Sequence, residues 1–398
     1  MGKKPGSLGG GRRRPAHIDE TVEQKLDRCP DCGQPLKAEN IISSWDHLQE
    51  DIIPAHLKVT CYRHFRYRCP GCRKIQDSPA QGDEIPHSKL GPRALLAAVL
   101  FKYQYALPFN KIASMLKQTC GLPVSDSALV QGVLRLSQRF QGEVEALIEA
   151  IRGSPALNID ETGWRVSGVN DYLWVFTDQF HTAYRIIHSR SRQVVLDTLG
   201  EDYPGVINSD FFSAYNPLPY RKQKCFAHLA REFHRVSEAN DSAEFRWLKR
   251  KVDRLRQDSV RLKRDRAKYS AQVFQRRLQR LKQRASELGD MEFTDPDCLR
   301  LGERIVKHAG ELFTFVEHAE VESTNNLAER KIRPNVVIRK ISGGNRSRRG
   351  ADAHENLMSL VVTSQQQGKD WFEYGKTVLN NFRDNVKEPV ISEAQIQI

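Results

Sequence analysis

The chain carries the segments L-N-I-D at 157–160, G-W-R-V at 163–166, Y-L-W-V-F-T at 172–177 and Y-R-I-I-H at 184–188, separated by Gly, Asn and Asp turns. Their apolar, aromatic and β-branched content is typical of β-strands. A helix predicted over 192–199 leads to a further strand, V-I-N, at 206–208. Strands and a connecting helix in this order predict an α/β fold that contains a mixed sheet.

Three acidic residues far apart in the sequence lie in or end predicted elements. Asp160 closes the first strand, Asp210 follows P-G-V-I-N-S, and Glu329 lies in the helix-forming segment N-N-L-A-E-R-K-I-R-P at 325–334. Mg²⁺ prefers carboxylate oxygens, and two such ions about 3.5–4 Å apart serve phosphoryl transfer. We therefore predict two Mg²⁺ or Mn²⁺ ions, with Asp160 shared and Asp210 and Glu329 each holding one. The alternative is that the aspartates cap turns and the glutamate pairs with a neighbouring arginine in solvent.

Glu161 directly follows Asp160 and is the competing carboxylate at this strand end. Successive side chains of an extended segment point to opposite faces, so the side chain of Glu161 is expected to point away from that of Asp160. We select Asp160 as the catalytic and metal-binding residue.

The composition favours a polyanionic partner. The 398 residues include 62 Lys and Arg against 49 Asp and Glu, with a net charge of +13 and a pI near 9.4. Nucleic acid is the usual partner of so basic a chain. The longest apolar run, 94–101, is far shorter than the roughly 20 residues that cross a bilayer, so no membrane span is predicted. Residues 1–28 form a basic arm, expected to be disordered, with no apolar signal segment after it, which indicates a cytoplasmic protein.

Four of the eight cysteines form two C-x-x-C pairs, and the segment 29–76 that contains them is predicted to be a zinc-binding module. In a cytosolic chain this spacing favours one structural, tetrahedral Zn²⁺ over disulfides. Cys61 remains a competing ligand, whereas Cys120, Cys225 and Cys298 are interpreted as core or surface thiols. The predicted zinc ligands are Cys29, Cys32, Cys69 and Cys72.

A linker at 77–87, with Pro79, Gly82 and Pro86, precedes a helical region predicted over 88–150. Within that region, two helices joined by a glycine- and proline-bearing turn are compatible with a helix-turn-helix. Ser125 is expected to cap the second helix, and its groove-facing candidates are Ser127, Gln131 and Arg135. An ordinary helical hairpin that packs on the core is an equally good interpretation.

The segment 246–284 holds sixteen Lys and Arg against three Asp, with Leu248, Leu255, Leu262 and Tyr269 seven residues apart. This predicts a long basic helix or helical hairpin. It is interpreted both as a solvated spacer and as an arm that follows DNA phosphates.

A loop predicted over 339–350, R-K-I-S-G-G-N-R-S-R-R-G, combines glycines with five cationic side chains. A DNA-wrapping role is favoured over a plain mobile linker. The DNA-binding residues predicted here and beside Glu329 are Arg330, Arg333, Arg339, Lys340, Arg346, Arg348 and Arg349.

Cys225 and His228, in C-F-A-H, have helical spacing but lack two further metal ligands nearby. We interpret them as a packed thiol and a hydrogen-bonded or DNA-facing histidine. Core packing is the expectation for Trp164 and Trp174, with base stacking the alternative.

Several blocks, in this order, resemble the transposases of the insertion-sequence-66 family over about 29–379. C-P-D-C-G-Q-P-L, I-I-P-A-H-L-K-V and Y-R-C-P-G-C resemble its zinc-binding module. I-D-E-T-G-W-R-V, N-S-D-F-F-S-A-Y-N, C-F-A-H-L-A-R-E-F and T-N-N-L-A-E-R-K-I-R-P resemble its catalytic blocks.

The resemblance implies a ribonuclease-H-like catalytic domain over 151–235 and 321–385, with a mixed sheet, helices on both faces and a basic helical insertion at 236–320. Its acidic triad corresponds to Asp160, Asp210 and Glu329. The implied reaction is cleavage at the ends of a mobile element and transfer of the freed 3′-hydroxyls to target DNA. Implied partners are DNA, further copies of the chain and accessory proteins encoded in the same element. The longer helical region common in the family before the zinc module is replaced here by the short arm, which puts self-association by that route in doubt.

Two other functions remain compatible with these residues. One is a non-catalytic DNA-binding protein derived from a transposase, against which the three intact carboxylates argue. The other is a structure-selective nuclease with the same core, which would cut DNA without joining it.

Overall fold

The computed structural model describes residues 16–49, 55–78, 80, 82–86 and 88–383. The chain divides into two units, 1–54 and 55–398. Outside the described residues lie 1–15 of the predicted arm, 50–54 of the predicted zinc-binding module, 384–385 of the predicted catalytic domain, and Pro79, Gln81 and His87 of the linker. No helix in the described ranges is long and apolar enough to cross a membrane.

Each C-x-x-C pair forms a tight backbone turn. In the first unit, the N–H of Gly33 donates to the carbonyl of Cys29, and the N–H of Cys29 donates to Gln34, both at 2.9 Å. The second turn repeats this pattern, with Arg73 and Lys74 in the corresponding places. Gly33 and Arg73 both have positive φ, 75° and 58°. The second turn connects the antiparallel strands β1 (Arg66–Arg68) and β2 (Ile75–Asp77).

A five-stranded mixed sheet forms the centre of the second unit and confirms the predicted α/β class. Its strands are β3 (Ala156–Val166), β4 (Val169–Thr177), β5 (Thr182–Ile187), β6 (Val206–Ser209) and β7 (Arg221–Lys224). Their order is β5-β4-β3-β6-β7; β3, β4 and β5 pair antiparallel, whereas β6 pairs parallel with β3 and β7.

The sequence prediction of two strands over 157–166 was wrong, because β3 is continuous. Gly163 stays in the ladder opposite Tyr172, and pairing continues without a break from Asn158 to Val166. A glycine weakens a strand but leaves its backbone hydrogen bonds intact.

The second unit also contains thirteen α-helices among its described residues. They are α1 (Pro92–Tyr103), α2 (Phe109–Cys120), α3 (Asp126–Arg139), α4 (Gln141–Arg152), α5 (Gln193–Leu199), α6 (Phe226–Ser237), α7 (Ala243–Arg264), α8 (Ala271–Gly289), α9 (Pro296–Lys307), α10 (Thr314–Glu317), α11 (Asn326–Ser342), α12 (Arg348–Gln366) and α13 (Trp371–Arg383).

Two apolar clusters organise these elements. The larger joins α1–α4, most of the sheet and α11–α13, whereas the smaller joins α6–α10 and includes Val206 of β6. The predicted helical region at 88–150 therefore shares its core with the sheet. The basic segment is the hairpin of α7 and α8, whose Leu248, Leu255 and Leu262 are buried in the smaller cluster.

Helix α12 covers the edge strand β5 through a ladder of side chains one helical turn apart. The backbone N–H groups of Thr182, Tyr184 and Ile186 donate to Thr363 Oγ1, Ser359 Oγ and Glu355 Oε2, at 3.0, 2.8 and 2.5 Å. Edge N–H groups left unpaired would invite another strand. The ladder therefore closes this edge of the sheet.

Glu355→Gln is expected to make the protein less sensitive to rising pH. Burial raises the pKa of Glu355 from 4.5 to about 7. Its stabilising contribution is therefore complete below about pH 4.5 and is lost as pH rises through 7. The variant should gain stability relative to wild type across this window in urea unfolding, whereas Glu303→Gln, at an exposed position of α9, should not. A pH-independent difference would contradict the prediction.

The loop predicted over 339–350 is a five-residue turn, so that prediction was too long. Arg339 and Lys340 belong to the last turn of α11, which Gly343 ends with φ 72°, and α12 begins at Arg348. Asn345 fixes the turn by accepting from Ser167 N and donating to Arg165 O, both at 2.9 Å. These contacts connect the turn to the end of β3, which local sequence could not reveal.

Candidate active site

The parallel register of β3 and β6 brings two predicted carboxylates to the place where the pairing of these two strands ends. Asn158 pairs with Asn208, and Asp160 and Asp210 each lie two residues further on. Side chains two residues apart on a strand point to the same face. Asp210 directly follows β6, whereas Asp160 lies within β3, which continues to Val166, so the prediction that Asp160 closes a strand was wrong. The two residues lie side by side where the pairing of β3 with β6 ends.

Asp160 has neighbouring negative charges on several sides. Burial, followed by the charges of Glu161, Asp210 and Glu329, raises its pKa from 3.8 to about 7. Like charges this close disfavour ionisation unless a cation joins them. The third predicted carboxylate, on α11, thus lies near Asp160.

Glu161 already has protein partners for its carboxylate. Its side chain is 2 % exposed, accepts from the Tyr215 hydroxyl at 2.5 Å and pairs with Arg190 at 2.7 Å. Arg190 also lies 4.0 Å over the ring of Phe212. These contacts give Glu161 a structural function and leave Asp160 as the partly exposed carboxylate.

The backbone at Asp210 is held by Lys224, the last residue of β7. The buried Lys224 Nζ donates to the backbone carbonyl of Asp210 at 3.0 Å, and burial lowers the lysine pKa to about 8. The Asp210 carboxylate accepts from Phe212 N at 2.8 Å. Both contacts restrict the chain where it leaves β6.

Asn325 connects the three elements that carry the site. Its Nδ2 donates to the carbonyl of Ile159 at 2.8 Å, directly before Asp160, and its backbone N–H contacts Cys225 Sγ at 3.0 Å. Cys225 precedes α6 and Asn325 precedes α11. A buried thiol at Cys225 agrees with its interpretation as a packed residue.

Glu329 is paired with basic residues of α6. Arg231 Nη2 donates to Glu329 Oε1, and His228 Nε2 lies 3.5 Å from the same oxygen. Burial, and then the charge of Arg231, lowers the pKa of His228. The histidine thus lies at the predicted site, although its partner here is a carboxylate.

The carboxylates of Asp160, Asp210 and Glu329 are chemically suited to Mg²⁺ or Mn²⁺, since all are hard oxygen ligands. Their ligand atoms do not form a set within 4.8 Å of one another; in the described part of the chain, one group meets that criterion, Glu244, Asp295 and Cys298. Asp295 there accepts from the N–H groups that begin α9, and burial raises the Cys298 pKa to about 12. Capping accounts for this group without a metal.

The predicted DNA-binding residues around α11 differ in whether they already have protein partners. Arg330, Arg333 and Lys340 are exposed on α11, and Arg346 and Arg349 are exposed nearby in sequence. Arg339 instead donates to the carbonyl of Gly163, and Arg348 pairs with Asp352 at 2.8 Å.

The two helices proposed for groove binding are α2 and α3. Ser125 caps α3 as predicted, by accepting from Ala128 N at 3.2 Å. Ser127, Gln131 and Arg135 are exposed at intervals of four residues, whereas Leu129, Val133 and Leu136 are buried. The exposed residues therefore share one face of α3.

Sequence reasoning missed Arg190, Tyr215, Lys224 and Arg231 as parts of this site. Tyr215 and Arg231 lie within blocks that resembled a catalytic domain, which was the available signal. Their partners, however, are 54 and 98 residues away in sequence.

The match to a known protein family covers the elements that carry the site. The profile of the Transposase IS66 family matches residues 87–353, which include Asp160, Asp210 and Glu329. The chain is also similar to a Sinorhizobium fredii protein named "Uncharacterized protein y4qI". The two are 22 % identical over 386 residues, which cover 89 % of this chain and 70 % of that protein.

Proposed function

This chain belongs to the IS66 family of transposases, and we propose that it cuts DNA at the ends of a mobile element and transfers the freed 3′-hydroxyls to target DNA. The observation that carries the proposal is the hydrogen bond from Asn325, directly before α11, to the carbonyl of Ile159, which holds the helix of Glu329 against β3 where Asp160 lies beside the end of β6. The five-stranded mixed sheet supports assignment of 151–235 and 321–385 to a ribonuclease-H-like domain.

Asp160, Asp210 and Glu329 are the residues that we propose to hold two Mg²⁺ or Mn²⁺ ions, with Asp160 shared. Bound ions of this kind activate an attacking oxygen and stabilise a leaving oxygen in phosphoryl transfer. Lys224 and Asn325 restrict the backbone beside two of these carboxylates, and Glu161 orients Tyr215 and Arg190. The protein thereby provides the orientation that such catalysis requires.

DNA would lie over the exposed cations around this site. We propose Arg330, Arg333, Lys340, Arg346 and Arg349 as phosphate contacts, and Gln131 and Arg135 of α3 as groove contacts. Arg339, Arg348 and His228 remain candidates, each of which must exchange a protein partner for DNA. Further copies of the chain and accessory proteins are the other proposed partners.

The outer face of α7 supports a second phosphate-binding surface. Its exposed cations recur every three to seven residues on one side of the helix, over about 27 Å at 1.5 Å per residue. They are Arg246, Arg250, Arg254, Arg261 and Arg264.

The triple substitution of Arg250, Arg254 and Arg261 to Gln should weaken DNA binding mainly at low salt. Loss of three phosphate contacts reduces the slope of log K against log salt by about 2.7. Removing the same number of charges from Arg93, Arg152 and Lys376 is the matched control. Fluorescence-anisotropy titrations at several salt concentrations measure both slopes, and equal slopes would contradict a phosphate-binding face.

We propose that Cys29, Cys32, Cys69 and Cys72 hold one structural Zn²⁺. Support comes from their spacing and from the local turns, in which backbone N–H groups lower the thiol pKa of both Cys29 and Cys69. Elemental analysis should find one zinc per chain, lost in Cys69→Ser and kept in Cys61→Ser. Loss in the Cys61 variant alone would make that residue the ligand instead.

The proposed function is tested in cells with a selectable marker placed between the inverted ends found beside the gene. Wild type should move the marker to new sites, whereas Glu329→Gln should not and Glu303→Gln should. Equal movement without any active protein would contradict the proposal. Double-strand breaks without joined products would favour the nuclease.

A further inference from the structure

Two basic side chains of α6 converge on one oxygen of Glu329. Arg231 and His228 are three residues apart, on the same side of the helix, and both contact Glu329 Oε1. The Nε of Arg231 also donates to the carbonyl of Ala227, at 3.4 Å. The guanidinium is thereby held at the end of the carboxylate that is proposed as a metal ligand.

This ion pair is accessible to solvent. The side chain of Arg231 is 56 % exposed and that of Glu329 is 31 % exposed. Pairs of this kind contribute little stability, because water and salt compete for both charges. A divalent ion can therefore displace Arg231 at small cost.

The donor atoms of the three proposed ligands do not all lie within 4.8 Å of one another. Asp160 experiences the charges of Asp210 and Glu329, while Glu329 itself is engaged by Arg231. Arg231 is thus the positive charge in contact with the third carboxylate before any metal binds.

We propose that Arg231 competes with the divalent ion for Glu329 and, once displaced, binds a phosphate of the DNA strand at the active site. The proposal rests on the proposed function of the three carboxylates. It makes Arg231 an exchange residue that links metal loading to DNA binding. A half-exposed guanidinium with five N–H donors suits both a carboxylate and a phosphate.

Mn²⁺ binding to the DNA-free protein tests the first step. Titration followed by electron paramagnetic resonance of free Mn²⁺ should show that Arg231→Ala binds the ion on the order of two- to fivefold more tightly than wild type. Arg231→Lys should be closer to wild type. Arg235→Ala, one helical turn further along α6, should leave the affinity unchanged. Unchanged or weaker Mn²⁺ binding by Arg231→Ala would overturn the proposal. Weaker binding is the result expected if Arg231 only holds Glu329 in position.

Binding of a short non-specific duplex tests the second step. In EDTA, Arg231→Ala and wild type should bind the duplex equally, because the guanidinium is engaged by Glu329. In Mg²⁺, the variant should bind more weakly and its salt slope should be lower by about 1. Equal binding of the two proteins in Mg²⁺ would overturn this step.

Asp160→Asn separates this proposal from the proposed function. If Mn²⁺ binding does not depend on Asp160, the proposed metal site is wrong. If it does depend on Asp160 but Arg231→Ala binds no more tightly, the metal site stands and the exchange by Arg231 is wrong.

Discussion

Asp160→Asn is expected to reduce the rate of DNA strand cleavage by roughly 1,000-fold or more. Loss of the charge stabilisation that the metal ions provide would raise the activation barrier by about 4 kcal/mol. The amide matches the carboxylate in size and carries no charge. Because burial and neighbouring carboxylates raise the Asp160 pKa to about 7, an uncharged side chain suits this position in the metal-free protein. The fold and the affinity for DNA should therefore be unchanged.

Asp197→Asn on α5 is the matched control, because that aspartate is exposed and accepts only from Gln193, at 2.8 Å, among its described contacts. Cleavage of labelled DNA, circular dichroism and DNA binding should be measured for both variants. Full cleavage by Asp160→Asn would remove this residue from the site. Loss of folding would make the rate uninformative, and Asp210→Asn would then take its place.

Trp174→Ala should lower the free energy of unfolding by about 4 kcal/mol, within the range for deletion of a large buried aromatic side chain. Trp174 is fully buried in β4, and its Nε1 donates to the carbonyl of Ser189 at 3.0 Å. Its ring packs edge to face with Tyr215, which donates to Glu161. The substitution therefore leaves a cavity directly behind the site.

Trp45→Ala makes the same change at a residue that is 84 % exposed. Its effect should stay within about 0.5 kcal/mol. Urea unfolding of both variants measures the difference, with the slope m as a check that the same transition is compared. Equal effects would show that Trp174 is not part of the core. The burial of Trp174 agrees with the sequence prediction of core packing and not with base stacking.

The α/β class and most elements of the sheet were predictable because their segments are rich in apolar, aromatic and β-branched residues. Strand β7 was missed, since its sequence R-K-Q-K looks like an exposed turn. Gln223 and Lys224 are nevertheless buried there, and Gln223 donates to the carbonyl of Leu312 at 3.1 Å. A polar strand of this kind depends on partners that local patterns do not contain.

Asp210 and Glu329 were predictable from their positions directly after a strand and in a helix, whereas Asp160 lies within β3 and not at its end. The register that aligns Asp160 with Asp210 was not predictable, because it depends on the pairing of β3 with β6. Arg231 illustrates the same limit, since its pairing with Glu329 requires α6 and α11 to lie together. Sequence patterns predicted which residues have suitable chemistry, and the tertiary fold determines which of them meet.

The most direct test of two-metal transposition is the joining of labelled DNA that carries the inverted ends found beside the gene. Wild type, with any proteins encoded beside it, should produce 3′-hydroxyl ends and joined products in Mg²⁺ or Mn²⁺, and neither product in EDTA. DNA that is bound but never cut in either metal would contradict the account and favour a non-catalytic DNA-binding protein.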